Sequence, residues 1–466
     1  GFYPSEMNDS LFVFNPQTNQ LWAQQVGAYN DTILHDCIIA AFNQYIQEDS
    51  MLYIIGGYGF DITANDYITH PYLIAVNLNQ LVSHVKNGQP AEQDFRKLYH
   101  PEMAVTGGNV LKIDSTLYLT FGQKFDGRYS EMDSSGFFVQ QYSNRIKKFN
   151  ISDDGINLSI NNYSEITDST NFHRRDYNLV PQIFPDRVFG LTAFGGVFQY
   201  GVNLPYLNPI NIKSSGNEVI NNFNQYLNQY TTAVIPLYDS AFNAMHNIFL
   251  GGISEFTFDT LSQLNVQNAM VPFVKTISRF TRYSDSSMTE FALPVHMPDY
   301  LGTNAIFIPA ASVPLYHNAI INLNALDTGD ILIGYMISGI LSTDSNISQI
   351  SSYLSSANNL VYEIRIHKTG FTGINDFTLV NNLLNLKAYP IPFDNAVSIE
   401  FENKISQKVI VRAYDVSGKY IEEICNKDFQ PGIIKLQWQP KSFSHQNYFI
   451  KVTTGKLSYN LKVLSH

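Results

Sequence analysis

Cysteine is nearly missing from this chain: 466 residues contain Cys37 and Cys425 and no others. The two fall in stretches that read as different domains, so a disulfide framework is excluded. Neither has the His or Cys neighbours at short spacing that a structural zinc site needs. Charge is also sparse, with Asp, Glu, Lys and Arg together at 15 %, and acidic residues outnumber basic ones by 40 to 29. A nucleic-acid partner requires a basic stripe that releases counterions, and none is present. No apolar run is long enough for a membrane span, and no signal peptide is recognisable. If the protein is exported, a leader is therefore expected upstream of Gly1.

What the chain has in quantity is aromatic residues, 14 % of the total with 29 Tyr and 32 Phe. That enrichment, with so few charges, predicts an all-β protein. The last eighty residues show the strand pattern most clearly. Apolar side chains recur at every second position in Ile434, Leu436, Trp438 and in Tyr448, Ile450, Val452, which is the period of a strand with one buried face. Asp-Val-Ser-Gly, Pro-Gly and Thr-Gly pieces between such runs supply turns. Six or seven short strands at this spacing predict a small antiparallel β-sandwich.

The order of motifs here resembles the type A C-terminal sorting domain of the type IX (Por) secretion system. The opening Tyr389-Pro390-Ile391-Pro392 is similar to that family's Tyr-Pro-Asn-Pro, with Ile391 in place of Asn. Tyr414-Asp415-Val416-Ser417-Gly418-Lys419 matches its strand and turn, and Gly432 and Tyr448 match its later Gly and Tyr. The resemblance implies export through the outer-membrane machinery (translocon, shuttle or sortase), after Sec-dependent passage through the periplasm, to the outer-membrane surface or the medium. A plain accessory β-sandwich would share the fold without that role. From Lys387 onward there are 11 basic and 7 acidic residues, against 18 and 33 before it. This change of sign marks a boundary. The expected organisation is a large domain over 1–370, a linker over 371–386 and the tail over 387–466.

The large domain carries an internal repeat. Apolar strands end in a glycine pair or a variant of one: Gly56-Gly57, Phe121-Gly122, Gly195-Gly196, Gly251-Gly252 and, more weakly, Ser338-Gly339. The segment from Asn8 to Trp22 has the form of the second half of such a unit, and half-repeats recur at Tyr72–Leu78 and Asn144–Asn150. A further repeat pairs Pro236-Leu237-Tyr238 with Pro314-Leu315-Tyr316. Together these resemble a kelch-type β-propeller, of six blades in preference to seven, whose first blade is incomplete and whose glycine pairs let a strand pass close to the central axis. The spacing, nearer seventy residues than fifty, requires long loops or extra strands in most blades.

For chemistry the densest cluster is His173-Arg174-Arg175-Asp176. It is readable as a carboxylate or acidic-sugar contact or as a structural group that satisfies carbonyls between blades. The glycine pairs lack the Lys-Ser/Thr or the downstream acidic partner of a phosphate site. No paired-carboxylate, Gly-x-Ser-x-Gly or His-Glu-x-x-His motif occurs, and the histidines have no ligand spacing. No cofactor, metal or catalytic residue is assigned. The preferred reading is a secreted or surface module that binds a glycan or a protein. The alternatives are a carbohydrate-active extracellular enzyme and a structural surface-layer component. The tail resemblance also implies O-glycosylation at Asp-Ser/Thr sites, here Thr32, Ser115, Ser169, Ser240 and Thr260.

Overall fold

The computed structural model describes residues 7–27, 29–129, 138–259, 264–346, 355–368, 386–403, 406–414, 420–440, 447–454 and 457–465. The chain divides into two compact units, Gly1–Lys368 and Thr369–His466. Of the expected linker, all but residue 386 lies outside the described residues.

The larger unit is a β-propeller. Its first blade is a four-stranded antiparallel meander of Gln44–Glu48, Met51–Ile55, Tyr72–Asn77 and Phe95–Tyr99, in that spatial order. The second is Asn109–Ile113, Thr116–Thr120, Arg145–Asp153 and Leu158–Thr167; the third is Asn178–Ile183, Phe189–Phe194, Ile210–Lys213 and Gly216–Val219. The fourth runs Ala233–Asp239, Ala244–Leu250, Thr276–Arg282 and Met288–His296, and the fifth has three strands, Ile306–Pro309, Gly329–Ile337 and Tyr362–Lys368. The first strands of successive blades are neighbours in space, so they form the inner ring. Apolar clusters fill the gaps between consecutive blades from the first to the fifth. Ile55 and Leu73 meet Leu119 and Phe149 between the first and second, and Val180 and Phe194 meet Phe249 and Phe280 between the third and fourth.

In place of a complete sixth sheet there is a hairpin, Ser10–Asn15 with Gln20–Gln25, that pairs with no other described strand. Its Leu11, Val13 and Trp22 pack on helix Leu78–Asn87 and on Leu52 and Val76 of the first blade. The expected count of six thus stands as five sheets and one two-stranded unit. Helix Thr32–Ile39, capped by the Asp31 side chain on the Leu34 N–H, also covers this blade through Leu34 and Cys37.

The long repeat has a structural cause. After each glycine anchor, and before the third strand, the chain inserts a piece on one face of the ring. It is a two-stranded ribbon at Tyr58–Asp61/Asp66–Thr69, Gln123–Gly127/Phe138–Tyr142, Phe256–Asp259/Leu264–Gln267 and Ile340–Ser342/Ser355–Ala357, and a loop over 197–209 in the third blade.

The anchors also differ from expectation in what they approach. Every one has two consecutive positive-φ residues, for example Gly195 (62°) and Gly196 (88°), or Phe121 (49°) and Gly122 (74°). A Cβ on Gly56 would lie 2.1 Å from the Val105 carbonyl oxygen, and one on Gly195 2.1 Å from that of Gln229. The tight contact is with the backbone that enters the next blade, not with the central axis. In the first four anchors the second residue makes the matching bond: the N–H groups of Gly57, Gly122, Gly196 and Gly252 donate to the carbonyls of Val105, Arg174, Gln229 and Leu301 at 2.8–2.9 Å.

At the opposite face, residues 310–326 of the fifth blade cross towards the ring interior. Ile321–Asn322 pairs in parallel with the free edge of Ala233–Asp239, and Asn318 donates from its side chain to the Lys112 carbonyl in the second blade. Pro314-Leu315-Tyr316 therefore lies in this crossing segment while Pro236-Leu237-Tyr238 lies in an inner strand. The expected repeat between them is not a structural equivalence.

The smaller unit is a β-sandwich. One sheet holds Lys387–Tyr389, Val397–Asn403 and Gly432–Trp438; the other holds Tyr420–Phe429, Gln407–Tyr414, Asn447–Thr454 and Leu457–Leu464. Its core is Phe393, Val397, Ile399, Phe401, Val409, Val411, Ile434, Trp438, Tyr448, Ile450, Val452 and Val463; of the alternating positions read from the sequence all are buried but Leu436, which packs partly buried against this core.

Candidate functional site

On the face that carries the ribbons, the second and third blades enclose an open cleft of about 420 Å³. One wall is the ribbon Gln123–Gly127/Phe138–Tyr142, whose pairing sets Gln123 opposite Tyr142 and Phe125 opposite Gln140. Successive side chains of a strand alternate between faces, so Gln123, Phe125, Phe138, Gln140 and Tyr142 share the inner face and all five line the cleft. The far wall is the inserted loop of the third blade, with Phe198, Gln199, Tyr200 and Asn203. The floor is His173 and Arg175, in the segment that leads into the third blade's inner strand.

The His173 ring lies between two tyrosines, with centroids 3.7 Å from Tyr142 and 3.8 Å from Tyr200 and both pairs near-parallel. Burial lowers its pKa, which favours the neutral imidazole. Its Nδ1 is 3.3 Å from the Asn144 side-chain oxygen. Tyr200 remains 58 % exposed beyond this column. Deeper in the ribbon, Phe125 stacks on Phe138 at 4.8 Å and meets Tyr58 of the neighbouring ribbon edge-on at 5.3 Å. The Tyr58 hydroxyl donates to the Gly127 carbonyl and accepts from the Tyr129 N–H, fastening the two ribbons together.

The cluster His173-Arg174-Arg175 is split by the fold. Arg174 is fully buried and does not line the cleft. It donates to the carbonyls of Asn171, Gly195 and Asn208 and to the Asn208 side chain, and lies over the Tyr206 ring at 4.0 Å. Burial pulls its pKa down to about 9, which still leaves it a cation at neutral pH. It clamps the second blade's exit to the third blade's anchor. Arg175 does reach the cleft, but its guanidinium is 2.7 Å from Asp176. Although burial opposes it, Asp176 holds Arg175 above the ordinary guanidinium range. The aromatic column and the glutamines of the ribbon were not singled out from sequence, although the alternation Gln123-x-Phe125 and Phe138-x-Gln140-x-Tyr142 carried the signal.

The other expected residues fall as follows. Thr32, Ser115, Ser169 and Ser240 are exposed, each after an Asp whose side chain caps a helix or which lies in or borders a turn; Thr260 lies outside the described residues. In the tail, the Tyr389 hydroxyl donates to Glu400 at 2.7 Å on the outer face of the three-stranded sheet. Pro390 and Pro392 lead to fully buried Phe393, whose N–H donates to the Leu464 carbonyl. Tyr414 ends its strand edge-on to Tyr420 at 6.0 Å, Gly432 (φ 147°) opens a strand, and Tyr448 is buried against Trp438 at 5.1 Å. Asp415 and Gly418 lie outside the described residues. Among the described residues no group of His, Cys, Asp and Glu is placed to hold a metal ion, and no helix is long and apolar enough to cross a membrane.

Fold and site together define a β-propeller with an aromatic cleft on its ribbon-bearing face, followed by a separate β-sandwich. Residues 387–465 match the family of secretion system C-terminal sorting domains. That match indicates a secreted or cell-surface protein. No curated protein matches the chain. Among solved structures, YjhT is 10 % identical with a TM-score of 0.39, covering 76 % of this chain and 95 % of its own. A fungal alcohol oxidase of the AA5 family, in complex with copper, is 8 % identical with a TM-score of 0.37, covering 98 % and 91 %. At these scores neither likeness contributes to the argument.

Proposed function

We propose that the protein is a cargo of the type IX secretion system: the tail is its export and sorting signal, read by the outer-membrane machinery, and the propeller is a module that binds a glycan or protein ligand at the ribbon-bearing face. The match of residues 387–465 to the sorting-domain family carries the first part. It is supported by the closed core of that segment, which contains Phe393 and Tyr448 of its motifs. The open, aromatic-lined cleft between two inserted elements supports the second, because binding sites are concave and largely apolar with a few convergent polar groups. Sec-dependent passage and display on the outer-membrane surface complete the route.

The test fuses Lys387–His466 to a fluorescent reporter with a Sec leader in a bacterium that has the type IX system. Reporter on the surface or in the medium of the wild type, and in the periplasm of a translocon mutant, is the expected result. Periplasmic retention in both strains would reduce the tail to an accessory domain. For the propeller, retention of the purified full chain on cell-envelope or extracellular-matrix material is expected, and its absence removes the binding reading.

A further inference from the structure

We infer that the cleft between the second and third blades takes a neutral saccharide rather than an acidic one. This rests on the reading of the propeller as a binding module and names its ligand class. A carboxylate is recognised by a guanidinium whose fork is free to donate two parallel bonds. Neither candidate arginine has that freedom. Arg174 is enclosed, with its donors on three carbonyls and an amide. Arg175 is held by Asp176 through Nη1, its guanidinium lies against the Phe198 ring, and its Nε is buried away from solvent. An ion pair of this kind presents no net charge to a ligand. With burial favouring the neutral form of His173 and Arg175 paired with Asp176, the described lining offers an anion no unpaired arginine or lysine.

What the lining does offer is flat rings and primary amides. The negative face of an aromatic ring attracts the polarised C–H groups on one side of a sugar ring, and Tyr200, 58 % exposed at the end of the column with His173 and Tyr142, is the accessible ring. Each side-chain amide has two donors and an acceptor, which suits neighbouring hydroxyl groups that also both donate and accept. Gln123 and Gln140 are already oriented by a mutual bond of 2.5 Å. Gln199 is fixed through the Pro205 carbonyl. These groups are held before any ligand arrives, which lowers the ordering cost of binding. The cleft is a half-open trough between two elements, a shape that admits a chain end or an internal stretch of an oligosaccharide.

The experiment uses the full chain and two panels of probes, neutral oligosaccharides (gluco-, manno- and chito-oligomers) and acidic ones (oligogalacturonate and sialyllactose), titrated by calorimetry at low and high salt. Binding to at least one neutral probe is expected, unchanged by salt because no charge is neutralised. Tyr200→Ala is expected to weaken it about tenfold, the equivalent of about 1.4 kcal/mol, while Tyr200→Phe keeps the ring and the affinity. Binding confined to acidic probes and weakened by salt overturns the inference but leaves the binding reading in place. So does retention on envelope material without binding to either panel. Neutral-sugar binding that Tyr200→Ala leaves intact overturns the assignment to this cleft.

Discussion

At the residue scale, the glycine anchors are the most demanding positions in the propeller. Gly195 combines positive φ with a carbonyl oxygen where its Cβ would be, so Gly195→Ala has to displace the entrance to the fourth blade. We expect a loss of about 3 kcal/mol or more in urea unfolding, from strain and overpacking together. Gly27→Ala, where the nearest atom is 4.0 Å away, should change stability by less than about 0.5 kcal/mol. His246 gives the propeller a pH dependence of known sign. Burial lowers its pKa from 6.5 to about 4, with Arg279 adding to the effect. Below pH 6.5 the unfolded chain takes up a proton that the folded one refuses, so this contribution is complete above pH 6.5 and is lost progressively as the pH falls towards 4. The loss is of order 3 kcal/mol. His246→Gln should flatten that part of a stability-versus-pH curve.

At the scale of elements, the joints between blades rely on polar groups as much as on apolar ones. Glu290, in the outer strand of the fourth blade, accepts the N–H groups of Tyr226 and Leu227 at 2.8 and 3.1 Å. These two residues precede Gln229, the acceptor for the Gly196 anchor. Glu290→Ala strands two donors and should cost about 2–4 kcal/mol, with Glu290→Gln losing roughly half as much. In the sandwich, two tyrosines that the sequence aligns with sorting motifs sit in opposite settings, one buried and one on the outer face. Tyr448→Ala opens a cavity beside Trp438 and Phe393 and is expected to destabilise the tail by about 3–5 kcal/mol, read from Trp438 fluorescence. Tyr389→Phe removes one bond on the outer face and should cost no more than about 1 kcal/mol. If that variant folds and is still poorly exported, Tyr389 is a recognition residue.

For the whole molecule, each unit has its own core: one closed cluster in the sandwich and a series of inter-blade clusters in the propeller. Calorimetry of the full chain should therefore resolve two transitions. Tyr448→Ala should move only one of them and Gly195→Ala only the other. A single transition that responds to both substitutions would show that the units fold as one.

Local pattern carried much of this architecture. Period-two alternation marked the sandwich core from Val397 to Val463, and the sign of the charge marked where it begins. The anchors announced themselves because a backbone with two successive positive-φ residues against a neighbouring carbonyl admits little but glycine, so the constraint is written in residue type. Where another residue fits, the signal fades: Phe121 takes the first anchor position of the second blade with its ring between Phe172 and Tyr177, and Ser338 does so in the fifth. Two short helices on the first blade escaped notice because one apolar stripe over two or three turns is a weak signature beside the surrounding strands. The sequence by itself determined the fold class, the division into propeller and sandwich, and the resemblance of the tail to a sorting domain, since each rests on neighbours along the chain. Only the tertiary structure decided what Arg174 and Arg175 do and where the cleft lies. Adjacent in sequence, these two side chains diverge, one into a joint between blades and the other to the floor of a cleft whose walls come from residues 123–129, 138–142 and 198–203. That assembly depends on distances across the ring, which no local pattern encodes.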